Sequence, residues 1–365
     1  MKVFLVIPYN PLKETGGLEL GTLRYAASLI ASGREATIVT RGRSGTMAGV
    51  TIVGLESFSE LCRYLLRREN AYDIVHWMEI FPGSGEVEIQ AMLSGVLRTM
   101  GKKVVLMVAT SGNLRNRGGG SLARLLLNSV VDAYVISNPE QIGEFAESGI
   151  TKNINIIGFG LDTHNVFIPV DPARKTVLRR ELKLPVDKVL CLFIGRFVER
   201  KRPDFLLTCW QAMPDIHEKA ELIVVGSGMD QHDSIEASLL KLARKTPHVY
   251  FRGITPQPES YYQSCDILLL PSDREGQPNV LMEMMACGNP VIGSDIAGIR
   301  ELLIHEQSGL LFAPNDSERF KAAVRTLVNN AGLRSQLGRT ARGIVVKEKS
   351  QETVLNQYIQ LYQGL

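Results

Sequence analysis

Short apolar runs alternate along this chain with longer stretches in which apolar residues recur every three or four positions. The short runs predict β-strands and the longer stretches predict α-helices, because those two periods place apolar side chains on one face of each element. In the first half of the chain the strand candidates are 3–8, 35–40, 51–54, 74–77, 104–108, 133–137 and 154–157. The helical stretches between them are 18–32, 58–69, 86–100, 121–131 and 139–148. This alternation favours a parallel, doubly wound sheet of the α/β class.

A segment containing proline and aspartate, 167–175, interrupts the alternation, which then restarts. The second series of strand candidates is 189–194, 221–225, 249–253, 267–271, 290–294 and 309–312. Its helical stretches are 203–212, 233–244, 259–264, 280–287, 299–303 and 317–329. We therefore predict two doubly wound, Rossmann-like domains, 1–168 and 169–348, and a helix within 349–365 that packs back on the first domain. In such domains a ligand binds in the crevice at the carboxyl ends of the strands.

The composition is that of an ordinary soluble protein, with 45% hydrophobic and 22% charged residues over 365 positions. The five cysteines stand singly, without a Cys-x-x-Cys pair, which is typical of reduced thiols in the cytoplasm. The first eight residues are too short for a secretion signal, and no apolar run approaches the roughly 20 residues needed to cross a bilayer. We expect a cytoplasmic protein. The formal net charge of +3 favours no particular partner, and we expect no nucleic acid.

Two glutamates, Glu275 and Glu283, flank a predicted helix start at Pro278 and Asn279. Proline suits the first helical position and asparagine is a good cap, so Glu275 would lie in the preceding loop and Glu283 about one turn inside the helix. Unpaired backbone N–H groups near 279–281 would attract phosphate. Carboxylates beside a phosphate site suit a ligand that carries both hydroxyls and phosphates, such as a nucleotide sugar.

Three further segments carry candidate phosphate contacts. Gly16 and Gly17 open a helical stretch, where glycine lets backbone N–H groups approach an anion closely, although an ordinary turn would look the same. Arg196 and Lys201 follow the first strand of the second series and would hold a diphosphate. A solvated basic loop is the alternative for that pair. Gly226-Ser-Gly228 also follows a strand. It is interpreted either as a loop that contacts the ligand or as a tight turn.

Candidate acceptor-side residues lie in the first domain. His76 and Glu79 close a strand, either as crevice groups or as structural hydrogen-bonding residues. From residue 98 to 131 there are six basic residues and no acid, followed in 121–131 by an apolar set. This segment indicates either a surface for anionic lipid or a lipid-diphosphate acceptor, or a basic loop before an ordinary amphipathic helix. The basic residues are Arg98, Lys102, Lys103, Arg115, Arg117 and Arg124.

Several common motifs are missing from the sequence. It has no Asp-x-Asp, no His-Glu-x-x-His and no Cys–His metal spacing, so we expect no metal. The phosphate loop of ATPases is absent. No dinucleotide fingerprint follows the first strand, which argues against a dehydrogenase.

Taken together, the order and spacing of these segments resemble glycosyltransferase family 4, the retaining group 1 transferases of GT-B fold. The resemblance covers nearly the whole chain. Its pieces are Gly16-Gly17, Ile157 to Asp162, Gly195-Arg196 with Lys201, Val225 to Gly228, and the run from Pro271 to Val291 that Gly298 and Glu301 continue.

The resemblance implies two Rossmann-like domains facing each other across a cleft. It implies transfer of a sugar from a UDP- or GDP-sugar to a hydroxyl of a glycan or lipid-linked glycan in cell-surface polysaccharide synthesis, without cofactor or metal. Glu275, which would contact the sugar hydroxyls, and Arg196 and Lys201, which would bind the diphosphate, are the implied catalytic residues. Glu283 would bind the ribose. The remaining implied donor contacts are Gly16, Gly17, Gly226, Asn279, Val280 and Leu281.

One departure from the family pattern concerns the acceptor side. Many members carry a crevice histidine after the strand that corresponds to 104–108, where this chain has Ala109-Thr110-Ser-Gly112. Thr110, Ser111 or Asn113 would offer hydrogen bonds there instead. Glycogen and starch synthases share the Thr15-Gly-Gly-Leu18 pattern but are usually considerably longer. A sugar-nucleotide epimerase of the same fold and a catalytically silent sugar-nucleotide-binding protein remain alternatives.

Overall fold

The structure, a computed structural model, describes residues 1–13, 16–67, 69–83, 85–109, 121–139, 141–228 and 233–365. The chain is an α/β protein that divides into two compact units. The first unit is made of 1–160 and 351–365, and the second of 161–350. The division falls at 160/161, eight positions before the boundary that the sequence suggested. No helix in the described ranges is long and apolar enough to cross a membrane.

The first unit contains an eight-stranded sheet in the order β3-β4-β2-β1-β5-β6-β7-β8. All neighbouring strands are parallel except β3 and β4, which form an antiparallel pair. The strands are β1 Lys2–Val6, β2 Glu35–Arg41, β3 Gly45–Met47, β4 Val50–Leu55, β5 Ile74–Trp77, β6 Lys103–Val108, β7 Ala133–Ile136 and β8 Ile154–Ile156. The helices are α1 Gly17–Ala31, α2 Phe58–Leu66, α3 Glu86–Thr99, α4 Ser121–Val130 and α5 Gln141–Glu147.

The second unit contains a six-stranded parallel sheet in the order β11-β10-β9-β12-β13-β14. Its strands are β9 Val189–Ile194, β10 Ala220–Val225, β11 Val249–Arg252, β12 Ile267–Leu270, β13 Val291–Ser294 and β14 Gly309–Phe312. Its α-helices are α6 Pro172–Glu181, α7 Pro203–Gln211, α8 Glu236–Ala243, α9 Pro258–Ser264, α10 Asn279–Ala286, α11 Ala297–Arg300, α12 Ser317–Asn329 and α13 Ala331–Lys349. The strand order reverses between β9 and β12, and ligands of open α/β sheets bind at such a reversal.

The last helix, α14 (Gln351–Gln363), completes the first unit rather than the second. Its buried residues Val354, Tyr358 and Tyr362 join the apolar core that lies under β1 and α1. The Tyr25 hydroxyl donates to the Tyr362 hydroxyl at 2.8 Å. The chain therefore leaves the first unit at residue 160 and returns to it at 351.

The pattern of residues missed three elements. Helix α6 lies in the segment interpreted as a linker, where the Asp171 side chain accepts from the Arg174 N–H and Pro172 occupies the first turn. Helix α13 was missed because its buried side is a narrow stripe of Leu337, Gly338, Ala341 and Val345. The short strand β3 was missed as well, since three half-exposed or exposed residues give no readable period.

Candidate active site

The candidate site is built on the loops that follow β9 and β12, the two adjacent strands at which the sheet order reverses. The Lys201 Nζ atom lies 2.5 Å from Glu275 Oε1. Arg200 Nη1 lies 3.7 Å from the other carboxylate oxygen of Glu275. The Glu275 side chain is only 6% exposed and that of Lys201 12%, so this is a largely buried ion pair. Parallel strands place their carboxyl ends at one edge of a sheet, which is why residues 74 positions apart meet here.

Burial lowers the pKa of the Lys201 ammonium, and the Glu275 carboxylate opposes that effect. The nearby guanidinium groups of Arg200 and Arg196 lower this pKa further. The site thus concentrates positive charge around one carboxylate. A second anion would be favoured here, because it would stabilise the protonated form of Lys201.

The loops after β9 and β10 are fixed against each other by backbone hydrogen bonds. The Gly195 N–H donates to the Val225 carbonyl oxygen at 3.0 Å, and the Phe197 N–H donates to the Ser227 carbonyl oxygen at 3.0 Å. Gly226 has φ +134°, and a Cβ there would lie 1.9 Å from the Gly195 carbonyl oxygen, so only glycine fits. Arg196 is exposed on this double loop.

Helix α10 begins at Asn279, as the residue pattern indicated, but Pro278 rather than Asn279 occupies the cap position. The Leu281 and Met282 N–H groups donate to the Pro278 carbonyl at 3.0 and 3.4 Å. Within the described residues, the N–H groups of Asn279 and Val280 make no hydrogen bond. The expected amide site therefore consists of residues 279 and 280, whereas Leu281 is already paired. Glu283 is the fifth residue of this helix and is 5% exposed.

Additional charged residues, which sequence reasoning did not select, support the loop that carries Glu275. The Asp273 N–H donates to the Arg200 carbonyl at 2.8 Å. Arg202 Nη1 lies 3.3 Å from both Asp273 carboxylate oxygens and 2.5 Å from Asn315 Oδ1. The only signal for them in the sequence was their position beside Lys201 and Glu275.

In the first unit, Gly16 is the cap residue and Gly17 the first residue of α1. The Glu19 carboxylate lies over this helix start, since a Cβ on Gly16 would be 2.3 Å from Glu19 Oε2. Glu19 is 5% exposed. A phosphate bound at Gly17 would have to displace this carboxylate, which the sequence interpretation did not anticipate.

His76 does not open toward solvent, which corrects its interpretation as a crevice residue. Its side chain is fully buried, and Nδ1 lies 2.7 Å from the Tyr362 hydroxyl. Burial lowers the pKa of His76 to about 3. The ring packs among Tyr25, Tyr358 and Tyr362, so helix α14 covers it. The role that fits this geometry is structural.

Glu79 is also buried, at 2% exposure, and its carboxylate accepts from the Ile80 N–H at 2.9 Å. Gln90 Nε2 donates to the Glu79 carbonyl at 3.3 Å. These contacts fix the turn after β5. The other acceptor-side candidates, Thr110 and Asn113, lie outside the described residues.

Among the described residues, no group of three or more His, Cys, Asp or Glu side chains is arranged to hold a metal ion. The charges at the candidate site come from Arg, Lys and Glu side chains and from a helix start.

Residues 174–344, most of the second unit, match the family described as glycosyl transferases group 1. The second unit is a group 1 glycosyltransferase domain. Similar proteins extend over the first unit too. The chain is 26% identical over 372 aligned positions to a D-inositol 3-phosphate glycosyltransferase of Xylanimonas cellulosilytica, covering 90% of this chain and 87% of that protein. It is 23% identical to the capsular polysaccharide biosynthesis glycosyltransferase CapM of Staphylococcus aureus, covering 58% and 55% of the two chains.

The fold of the chain is similar to that of Anabaena HepE, solved in complex with UDP, with a TM-score of 0.84 at 17% identity. The similarity covers 100% of both chains. A second structure of HepE contains UDP-glucose and gives a TM-score of 0.83. At this level of identity the likeness establishes the fold, and it confirms the expected GT-B class with two Rossmann-like domains.

Proposed function

We propose that this glycosyltransferase moves a sugar from a UDP- or GDP-sugar to a hydroxyl of a glycan or lipid-linked glycan, with retention of configuration and without a metal. The observation that carries the proposal is the buried contact between Lys201 and Glu275 at the reversal of strand order. Its setting in a group 1 domain and the UDP-bound structures of the similar HepE support a nucleotide-sugar donor. The likeness to CapM supports a role in cell-surface polysaccharide synthesis.

The proposed chemistry follows from where charge develops. Breaking the bond between the sugar and the diphosphate leaves negative charge on the departing diphosphate. Fixed positive groups that meet this charge stabilise the transition state more than the ground state. Lys201 and Arg196 would supply these groups, and the N–H groups of Asn279 and Val280 would add a neutral phosphate contact.

The ion pair also keeps Lys201 in its charged form. A buried lysine without a counter-charge tends to lose its proton. Glu275 supplies that counter-charge. When a diphosphate takes over this role, the Glu275 carboxylate is released to accept hydrogen bonds from sugar hydroxyls. Glu283, inside α10, is the proposed ribose contact. At Gly16, Gly17 and Gly226 we propose that the backbone lies close to the donor.

The acceptor side is proposed on the first unit, with Thr110 and Asn113 as hydrogen-bonding candidates. Glu79 remains a candidate, although its side chain is 2% exposed and one of its carboxylate oxygens accepts a hydrogen bond from the Ile80 N–H. His76 is withdrawn from this set, since its ring is buried under α14.

We also propose a peripheral position at an anionic membrane surface. Helix α3 exposes Ile89, Met92 and Val96, at 43, 55 and 46%, with a spacing that places them on one helical face. On α4, which packs against α3 where Val130 approaches Gly95, Leu125 is 66% exposed. Of the six basic residues in 98–131, Arg98, Lys102, Lys103 and Arg124 lie in the described part of the chain, whereas Arg115 and Arg117 lie outside it. The acids Glu86 and Glu88 lie at the other end of α3, in its first turn.

The composition of this surface favours lipid over other partners. A second copy of the same surface would bring like charges together. A nucleic acid would favour aromatic stacking groups, whereas the exposed side chains here are aliphatic and thioether. Exposed aliphatic side chains in a basic stretch of sequence suit the interface of an anionic bilayer.

A panel of nucleotide sugars tests the function. Binding to the folded state raises its stability, so a true donor should raise the unfolding temperature at millimolar concentration. A donor that binds should then yield a glycosylated acceptor. Release of free sugar from UDP-GlcNAc in water without acceptor would favour an epimerase. Binding without turnover of any donor on a panel of acceptors would favour the silent alternative.

A further inference from the structure

Glu275 is held at its backbone as well as at its carboxylate. The Glu275 and Gly276 carbonyl oxygens lie directly against the α-carbon of Gly298 in helix α11. A Cβ placed on Gly298 would be 2.3 Å from the Gly276 oxygen and 2.4 Å from the Glu275 oxygen. Real Cβ atoms do not approach other atoms within 3.0 Å, so any side chain here must displace something.

Helix α11 is not free to move away from this contact. Ile299, the next residue, is fully buried, and its side chain packs against Gly293 of β13. Two hydrogen bonds close the turn before it. The Asp295 N–H donates to the Phe312 carbonyl oxygen at 2.7 Å, and the Ile296 N–H donates to the Ser294 carbonyl oxygen at 2.8 Å. The side that carries Gly298 is therefore part of the core of the second unit.

The loop that carries Glu275 is fixed at both of its ends, and between them Arg200 Nη1 donates to the Arg274 carbonyl at 3.4 Å. Asp273 is bonded to Arg200, and Pro278 is buried at the start of α10. Because α11 is held in the core, a side chain on residue 298 would shift the two peptide groups after Glu275, which carry the Glu275 and Gly276 oxygens. Reaching the 3.0 Å limit from 2.3 Å requires a shift of about 0.7 Å at the Gly276 oxygen.

We propose that Gly298 is a positioning residue, whose missing side chain sets the position of the Glu275 carboxylate relative to Lys201. This inference rests on the proposed function for its kinetic readout. A misplacement of about 1 Å at a reacting centre can cost about a hundredfold in rate. The three atoms nearest to a Cβ on Gly298 all belong to Glu275 and Gly276, so its effect should pass through Glu275.

The test compares Gly298→Ala with Gly253→Ala, a control in the same unit where a Cβ would meet no atom within 4 Å. We expect G298A to lower kcat by about a hundredfold. We expect its affinity for UDP by calorimetry to stay within about threefold of the parent, because Arg196 and the amides of α10 are untouched. G253A should match the parent in both measurements.

A double-mutant cycle with Glu275→Gln separates positioning from general damage. If Gly298 acts through Glu275, adding G298A to E275Q should cost little further activity. Equal losses in both backgrounds, or failure of G298A to fold, would overturn the proposal, since it confines the displacement to the Glu275 loop. The proposed function fails separately, if the parent protein neither binds UDP nor transfers sugar.

Discussion

Lys201 Nζ and Glu275 Oε1 lie 2.5 Å apart, and each side chain is more than four-fifths buried. Because the pair joins the loops of two strands that are neighbours in the sheet but distant in the chain, it fixes the centre of the candidate site. A partner removed from such a pair leaves the other charge buried and unpaired, which is costly. Substitutions at these positions therefore have to be separated into effects on stability and effects on turnover.

Glu275→Gln keeps the size of the side chain and removes its charge. We expect turnover to fall by about a hundredfold, which corresponds to ~3 kcal/mol of barrier, while the fold is retained. Glu275→Ala should abolish turnover. Steady-state kinetics and circular dichroism check both, with the surface residue Glu181, 56% exposed, changed to Gln as the control. Parent-like turnover of E275Q would remove Glu275 from the site.

Arg196→Ala combined with Lys201→Ala should weaken UDP binding. Charge-assisted contacts contribute roughly 1.5–3 kcal/mol each, so the double variant should lose at least about tenfold in affinity by calorimetry. Arg319→Ala, in α12 after the edge strand β14, is the matched control and should bind like the parent. An unchanged dissociation constant in the double variant would contradict the phosphate assignment.

The exposed surface of α3 is tested by Ile89→Ser, Met92→Ser and Val96→Ser together. We expect this variant to lose sedimentation with vesicles of phosphatidylglycerol and phosphatidylcholine, because both apolar burial and charge attraction are needed for stable binding. The control changes Leu240, Ile254 and Ile304, which are 41, 77 and 43% exposed in the second unit, to Ser. Equal sedimentation of the two triple variants, or a change of molecular mass in light scattering without vesicles, would reject the lipid surface.

The burial of His76 predicts that the free energy of unfolding depends on pH. Burial lowers its pKa to about 3 in the folded state, whereas the ordinary value is 6.5. The unfolded chain therefore binds the extra proton between these values, and stability is lost as the pH falls below about 6.5, with a slope of up to about 1.4 kcal/mol per pH unit.

The free energy of unfolding in urea at pH 7 and pH 5 measures this effect. His76→Gln should flatten the difference between the two pH values, although it lowers stability at pH 7. His164→Gln, at an exposed position, should leave the dependence as it is in the parent. A parent-like pH dependence in H76Q would show that other groups cause it.

The sequence predicted elements well where the residues at their ends agree with the propensities of the run that follows. The start of α10 and the loop position of Glu275 followed from Pro278, Asn279 and the run of good helix formers after them. Helix α13 was not predicted, because its buried stripe includes Gly338 and Ala341, whose small side chains add little to an apolar pattern. The family resemblance supplied the order of the motifs and their implied roles.

The contacts within the site did not follow from the sequence. The distance between Lys201 and Glu275 depends on strand order, which no local period encodes. The burial of His76 was hidden for a similar reason, since β5 is covered on both faces and its cover comes from Tyr358 and Tyr362, nearly 300 positions later. Side-chain direction on a fully buried strand cannot be inferred from alternation.

The return of α14 to the first unit has a consequence for synthesis on the ribosome. Translation proceeds from the amino terminus, yet part of the apolar cover of the first sheet is supplied by Val354, Tyr358 and Tyr362. Residues 161–350 are complete before this cover emerges. Part of the apolar sheet of the nascent first unit therefore remains exposed to solvent until the whole intervening unit has been translated.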